Sequence, residues 1–144
     1  MSDKVAKGSC YCGAVQVECR GDPTACLVCH CRSCAKWGSI NLATLYPSEN
    51  VTITGDLVEY TNKPPEGTPQ TSWRKTCAKC HSNVVNDHTP SMKLVDIVSG
   101  ILDQEFKPAF HIHYKSATYK IKDGLPKFED LPTDFGGSGT TMPE

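Results

Sequence analysis

The 144-residue chain has no apolar run long enough to cross a bilayer as a helix. It also has no basic block. Fifteen Lys and Arg stand against sixteen Asp and Glu, for a net charge of −1. That balance disfavours a nucleic-acid or membrane-surface role. The first residues, "MSDKVAKGS", lack the apolar core of a secretory signal. The expectation is a cytoplasmic protein whose thiols stay reduced. Helical periodicity is scarce as well, and only one short helix is expected, starting near Arg32.

What the chain has instead is short β-type runs. "AVQVEC" (Ala14 to Cys19) alternates apolar and polar residues, as a half-buried strand does. "SINLATLY", "VTITG", "LVEYT", "TSWRKT", "LVDIVSG" and "AFHIHY" read the same way, with Gly55 and Asp56 forming a turn between the third and fourth of these seven runs. Many short strands between Gly, Pro, Asn and Asp clusters predict an all-β fold of antiparallel sheets. The segment Asn62 to Gln70 holds three prolines and reads as a loop. The expected organisation is an N-terminal extension over 1–7, one domain over 8–132 and a flexible Gly/Ser/Thr-rich tail over 133–144.

Nine cysteines in a reduced compartment need a reason. A disulfide framework fits poorly with an odd count, a domain of this size and no signal peptide. Metal fits the spacing better. Cys10 and Cys12 form one cluster, Cys29, Cys31 and Cys34 a second, and Cys77 and Cys80 a third, while Cys19 and Cys26 stand apart. The first and third clusters together supply four thiolates, the number that a closed tetrahedral zinc site needs. They read as a structural zinc site joining distant segments. The second cluster supplies three thiolates, the count of a working zinc site with an open position. Cys26 lies at C-x-x-C spacing from Cys29 and could close that site, and His30 could do so too. Spacing alone leaves open and closed forms equally available.

The series "GSCYCGAV", "CHCRSC", "CAKC", "GILD" and "HIHY" resembles the glutathione-dependent formaldehyde-activating enzymes, the CENP-V/GFA domain family. The likeness runs from about Gly8 to Pro132, and the cysteine spacings are its specific part. It implies a Mss4-like, or β-tent, fold with little helix and two zinc ions per chain. It implies that Cys10, Cys12, Cys77 and Cys80 hold a structural zinc, and that Cys29, Cys31 and Cys34 hold the catalytic one. Cys19 and Cys26 match no family ligand. Three positions depart from the family pattern: His81 stands where glycine is usual, Ala35 where a basic residue is frequent, and Tyr119 where tryptophan is common. Read as lying near the working site, they allow for a different substrate.

The implied function is a carbon–sulfur lyase that joins glutathione, as co-substrate, to formaldehyde or a related aldehyde, or cleaves a glutathione conjugate. A zinc with three thiolates readily accepts a further thiol, and the metal lowers that thiol's pKa so that it adds to an aldehyde as a thiolate. The alternative is a non-enzymatic protein-binding module with two structural zincs. Arg32, Lys36, Arg74 and Lys75 are the cations nearest in sequence to the clusters, and each reads as a solvated surface charge. His111 and His113 alternate along one strand and should share a polar face. Asp103 reads as a turn residue, and Trp37 and Trp73 as core or pocket wall.

Overall fold

In the computed structural model, residues 3–144 are described. They form two compact units, one comprising the residues up to Thr24 with Thr44–Glu105, the other Ala25–Ala43 with Phe106–Glu144.

The first unit carries β1 (Val5–Ser9), β2 (Gln16–Arg20), β5 (Val51–Thr54), β6 (Leu57–Tyr60), β7 (Trp73–Cys77), β8 (Asn83–Asp87) and β9 (Leu94–Val98). β1, β2 and β5 form an antiparallel sheet in that order. β6, β7, β8 and β9 pair antiparallel in sequence order, with an irregular register between Lys75 and Thr76. Alternation explains the first sheet: β1 buries Ala6 and Gly8, and β2 buries Val17 and Cys19. These meet Val84, Val85, Val95, Ile97, Ile101 and Leu102 in one apolar core that also contains Cys10 and Cys77. Each buried aliphatic side chain of this kind contributes roughly 1.5–3 kcal/mol relative to exposure.

The second unit is built on β3 (Ala25–Cys29), the helix α1 (Arg32–Gly38) and β10 (Phe110–Ile112). β4 (Asn41–Pro47) starts in this unit, and its last four residues belong to the other. A four-residue helix, α2 (Thr89–Met92), lies in the first unit. β10 pairs with β3 in parallel, with Ile112 opposite Cys29. This is an exception to the antiparallel rule expected from the sequence, and it brings the residues on either side of Cys29 against the His111 segment. The segment 133–144 is fastened in this unit: Phe135 packs on Phe110, Ser138 bonds Asp130, and Met142 N–H donates to Lys127 O.

The "GILD" segment has a structural role. Ser99–Ile101 make a 3-10 turn, Leu102 bridges to Gly8, and Asp103 N–H donates to Lys7 O at 2.8 Å. The approach is so close that a Cβ on Gly8 would lie 1.8 Å from the Ile101 carbonyl oxygen. His81 has a φ of +65°, in the left-handed region where glycine is the default. Its departure from the family pattern therefore bears on the turn that follows Cys80.

Two substitutions should move stability in different directions. Gly8→Ala should cost about 3 kcal/mol, because two backbone segments must part. His81→Gly should be neutral or stabilising by up to about 1 kcal/mol, since relief of strain is offset by the freer unfolded chain. Denaturant unfolding of both variants checks this, and a Gly8→Ala midpoint equal to wild type would contradict the packing described.

Candidate metal centres

The sulfurs of Cys10, Cys12, Cys77 and Cys80 lie within 4.8 Å of one another. Cys10 Sγ is 3.7 Å from Cys12 Sγ, which is 3.8 Å from Cys77 Sγ. Sulfurs tetrahedrally placed at about 2.3 Å from one ion are separated by about 3.8 Å. The spacing is that of ligands around a cation; a disulfide needs about 2.05 Å. All nine cysteines are free of disulfides.

Each pair sits on a tight turn. Val15 N–H donates to Cys10 Sγ at 3.2 Å, and Lys79 and Cys80 N–H both donate to Cys77 Sγ at 3.4 Å. Such bonds favour thiolate over thiol. The Ser82 hydroxyl and N–H lower the Cys80 pKa to about 5. The Ala14 backbone bond favours a Cys12 thiolate too, but burial and the neighbouring sulfurs outweigh it and push that pKa up to about 11. Four thiols this close cannot all ionise without a positive charge among them. This donor set fits a soft divalent cation.

The second cluster, Cys29, Cys31 and Cys34, meets the same 4.8 Å criterion. β3 ends at Cys29, and Cys31 caps the N-terminus of α1, with Cys34 N–H donating to Cys31 Sγ at 3.2 Å. Cys29 and Cys34 are buried and Cys31 is half-buried. The hydrogen bonds from Cys29 and then Cys34 draw the Cys31 pKa far below the ordinary thiol value. The same two sulfurs, Cys31 first and then Cys34, push Cys29 far upward. One thiolate is readily held and the next is opposed, so this cluster too is suited to a cation.

Among the described residues no fourth His, Cys, Asp or Glu joins this group. Cys26 lies three positions before Cys29 on a strand, which places the two on opposite faces. His30 is directed elsewhere: its Nε2 is 2.8 Å from His111 Nδ1.

The sequence-derived candidates are distributed as follows. Arg32 donates to Thr118 Oγ1 at 3.1 Å, Lys36 is exposed, and Lys75 bridges Asp87 at 2.9 Å and Glu59 at 3.7 Å. Arg74 lies opposite Asn86 in the β7–β8 register. Trp37 and Trp73 are half-buried, Asp103 is exposed, and Tyr119 is 69% exposed. His111 and His113 do not share a face. β10 ends at Ile112, and His113 takes a left-handed φ of +52°, which breaks the alternation. His111 is fully buried, whereas His113 is half-buried. Sequence reasoning missed Asp123 and Lys127, which continue the His30–His111 contact through hydrogen bonds of 2.7 and 2.6 Å. No spacing pattern marks them.

Residues 5–116 match the family model described as glutathione-dependent formaldehyde-activating enzyme. The chain belongs to that family. A crystal structure of a Rhodobacter sphaeroides protein is similar at 20% identity over 69% of this chain and 89% of that one, with a TM-score of 0.55, a likeness of fold. No curated protein matches the chain.

Metal content should separate the cysteines. Cys26→Ser should retain two ions per folded chain, and Cys34→Ser should retain one. Cys77→Ser should lose soluble expression or fold, because its cluster joins segments 65 residues apart. Elemental analysis of reduced protein tests these outcomes, and loss of an ion from Cys26→Ser would show that Cys26 is a ligand.

Proposed function

We propose that the chain is a zinc-dependent enzyme of thiol–aldehyde chemistry, joining glutathione to formaldehyde or a related aldehyde. The observation that carries this reading is the three-sulfur group with Cys26 and His30 turned away from it. In this reading Cys10, Cys12, Cys77 and Cys80 hold a structural zinc, and Cys29, Cys31 and Cys34 hold the working one. Family membership supports glutathione and formaldehyde as the reactants. Among the described residues no helix is long and apolar enough to cross a membrane. Nine cysteines without a disulfide suit a reducing, cytoplasmic setting.

Zinc bound by three thiolates has a position for one more ligand, and it lowers the pKa of a thiol placed there. The chain's own groups prepare that place. The Cys34 N–H holds Cys31 Sγ, and α1 and β3 fix the three sulfurs from two directions. The reaction is an addition. The thiol loses its proton, its sulfur forms a bond to the carbonyl carbon, and the carbonyl oxygen gains a proton. The product is S-hydroxymethylglutathione, with no net oxidation. The reverse direction is carbon–sulfur cleavage at the same place.

The test combines binding and turnover. Zinc-loaded protein should bind glutathione with a change in zinc–ligand X-ray absorption, and should accelerate the appearance of the S-hydroxymethyl carbon signal from 13C-formaldehyde and glutathione. Cys31→Ser should reduce the rate at least 100-fold while leaving the fold intact. Four protein sulfurs on each zinc, with no response to glutathione, would instead establish a scaffold with two closed sites.

A further inference from the structure

A directed chain of hydrogen bonds lies behind the three-cysteine group. His30 sits between Cys29 and Cys31 and is 1% exposed, and His111 is completely buried. Their rings are stacked at 5.1 Å, and Tyr114 stands edge-on to both. His30 Nε2 meets His111 Nδ1 at 2.8 Å, and His111 Nε2 meets Asp123 Oδ2 at 2.7 Å. Lys127, 2% exposed, donates to Asp123 Oδ1 at 2.6 Å, to Leu125 O at 2.8 Å and to Glu144 Oε2 at 3.0 Å. Those three bonds use all three ammonium protons. Glu144 Oε2 in turn accepts from Asp123 N–H and Gly124 N–H.

With His111 neutral, this chain has one consistent direction. Burial works against charge on Asp123, but Lys127 and the His111 bond outweigh it, and the carboxyl stays well below its usual pKa. A carboxylate only accepts, so His111 donates from Nε2. In neutral His111, Nδ1 is then a bare acceptor. His30 must donate from Nε2, which leaves its Nδ1 as a buried lone pair, and that atom has no partner.

We propose that Lys127 and Asp123 set the tautomers of His111 and His30, and that this relay positions the Cys29–His30–Cys31 segment, so that Asp123 and His111 are positioning residues for the three-cysteine centre. The reading of that centre as a metal site is the one proposed above. The backbone contributes to the same end: His30 N–H donates to Ile112 O at 3.1 Å, next to His111 in β10. The ring contact and the backbone bond hold one residue from two sides. That residue separates two sulfurs whose spacing sets the cluster.

Asp123→Asn gives the test, because it keeps shape and reverses direction. Lys127 still needs an acceptor, so the amide carbonyl faces it and the amide NH2 faces His111 Nε2. His111 then carries its proton on Nδ1, and so does His30. Two-bond 15N–1H correlation spectra of the full, metal-loaded protein read both tautomers. The expected result is Nε2–H for both rings in wild type and Nδ1–H for both in Asp123→Asn. With EDTA as chelator, the variant should release the ion of the three-cysteine group about 10-fold faster, with release from the four-cysteine group unchanged. A wild-type His30 carrying its proton on Nδ1, or on both nitrogens, would overturn the proposal, and that measurement needs no variant. Unchanged tautomers or unchanged metal release in Asp123→Asn would overturn it too. Correct tautomers and faster release without any glutathione turnover would uphold the relay and remove the enzymatic reading instead.

Discussion

Mutual repulsion among thiolates is the constraint on which the first unit depends. Four sulfurs within 4.8 Å of one another can ionise together only around a positive ion. The unit is arranged to impose that crowding. Cys10 and Cys77 are buried in the same apolar core as Val15, Val84 and Ile97, so hydrophobic packing brings the two turns together. Backbone N–H groups from Val15, Lys79 and Cys80 then point at sulfur. Core packing and ligand geometry are thus one problem. A cation bound there relieves the repulsion and ties the strands that follow Cys12 to those that flank Cys77.

The three-cysteine group meets the same constraint with one sulfur fewer. The first ionisation in the group is favoured and the next opposed, so the cluster as folded accommodates a single negative charge easily. A divalent ion would let all three ionise and would leave a place for a fourth ligand. The helix that supplies Cys34 begins at the cap formed by Cys31, so the third sulfur follows from local chain geometry.

Much of this was legible in the sequence, for definite reasons. The seven strands with apolar alternation or bounding turn residues lie close to where the pattern puts them, and α1 begins at Arg32 as expected. β1, β3 and β8 were not legible. β1 reads as polar because Lys7 alternates with the small buried residues Ala6 and Gly8. β3 is dominated by its cysteines, and β8 is a short run ending in Asn86 and Asp87. The two units were hidden because each is assembled from two separated segments, so no linker marks a boundary. The cysteine groups were legible because ligand spacing is local. The polar relay was not, since Lys127 and Asp123 look like surface charges until the fold buries the lysine.

The two C-x-C pairs show what spacing alone leaves undetermined. One intervening residue lets two sulfurs face one ion and sends the middle side chain elsewhere. In the four-cysteine group that residue is Tyr11, 94% exposed, with its N–H held by Ser82 Oγ at 3.1 Å. In the three-cysteine group it is His30, buried and bonded to His111. The first pair is braced through its backbone, by its own turn and by Ser82, and its middle side chain adds nothing to the support. The second is braced through its middle side chain by residues more than 80 positions away. An ion held by four sulfurs would add its own four ties to the support that the core and the turns already give. An ion held by three would add one tie fewer, since the open position removes one of the ties that would otherwise hold the segment. Under the function proposed above, the buried His30 would supply support that a fourth sulfur supplies in the other group.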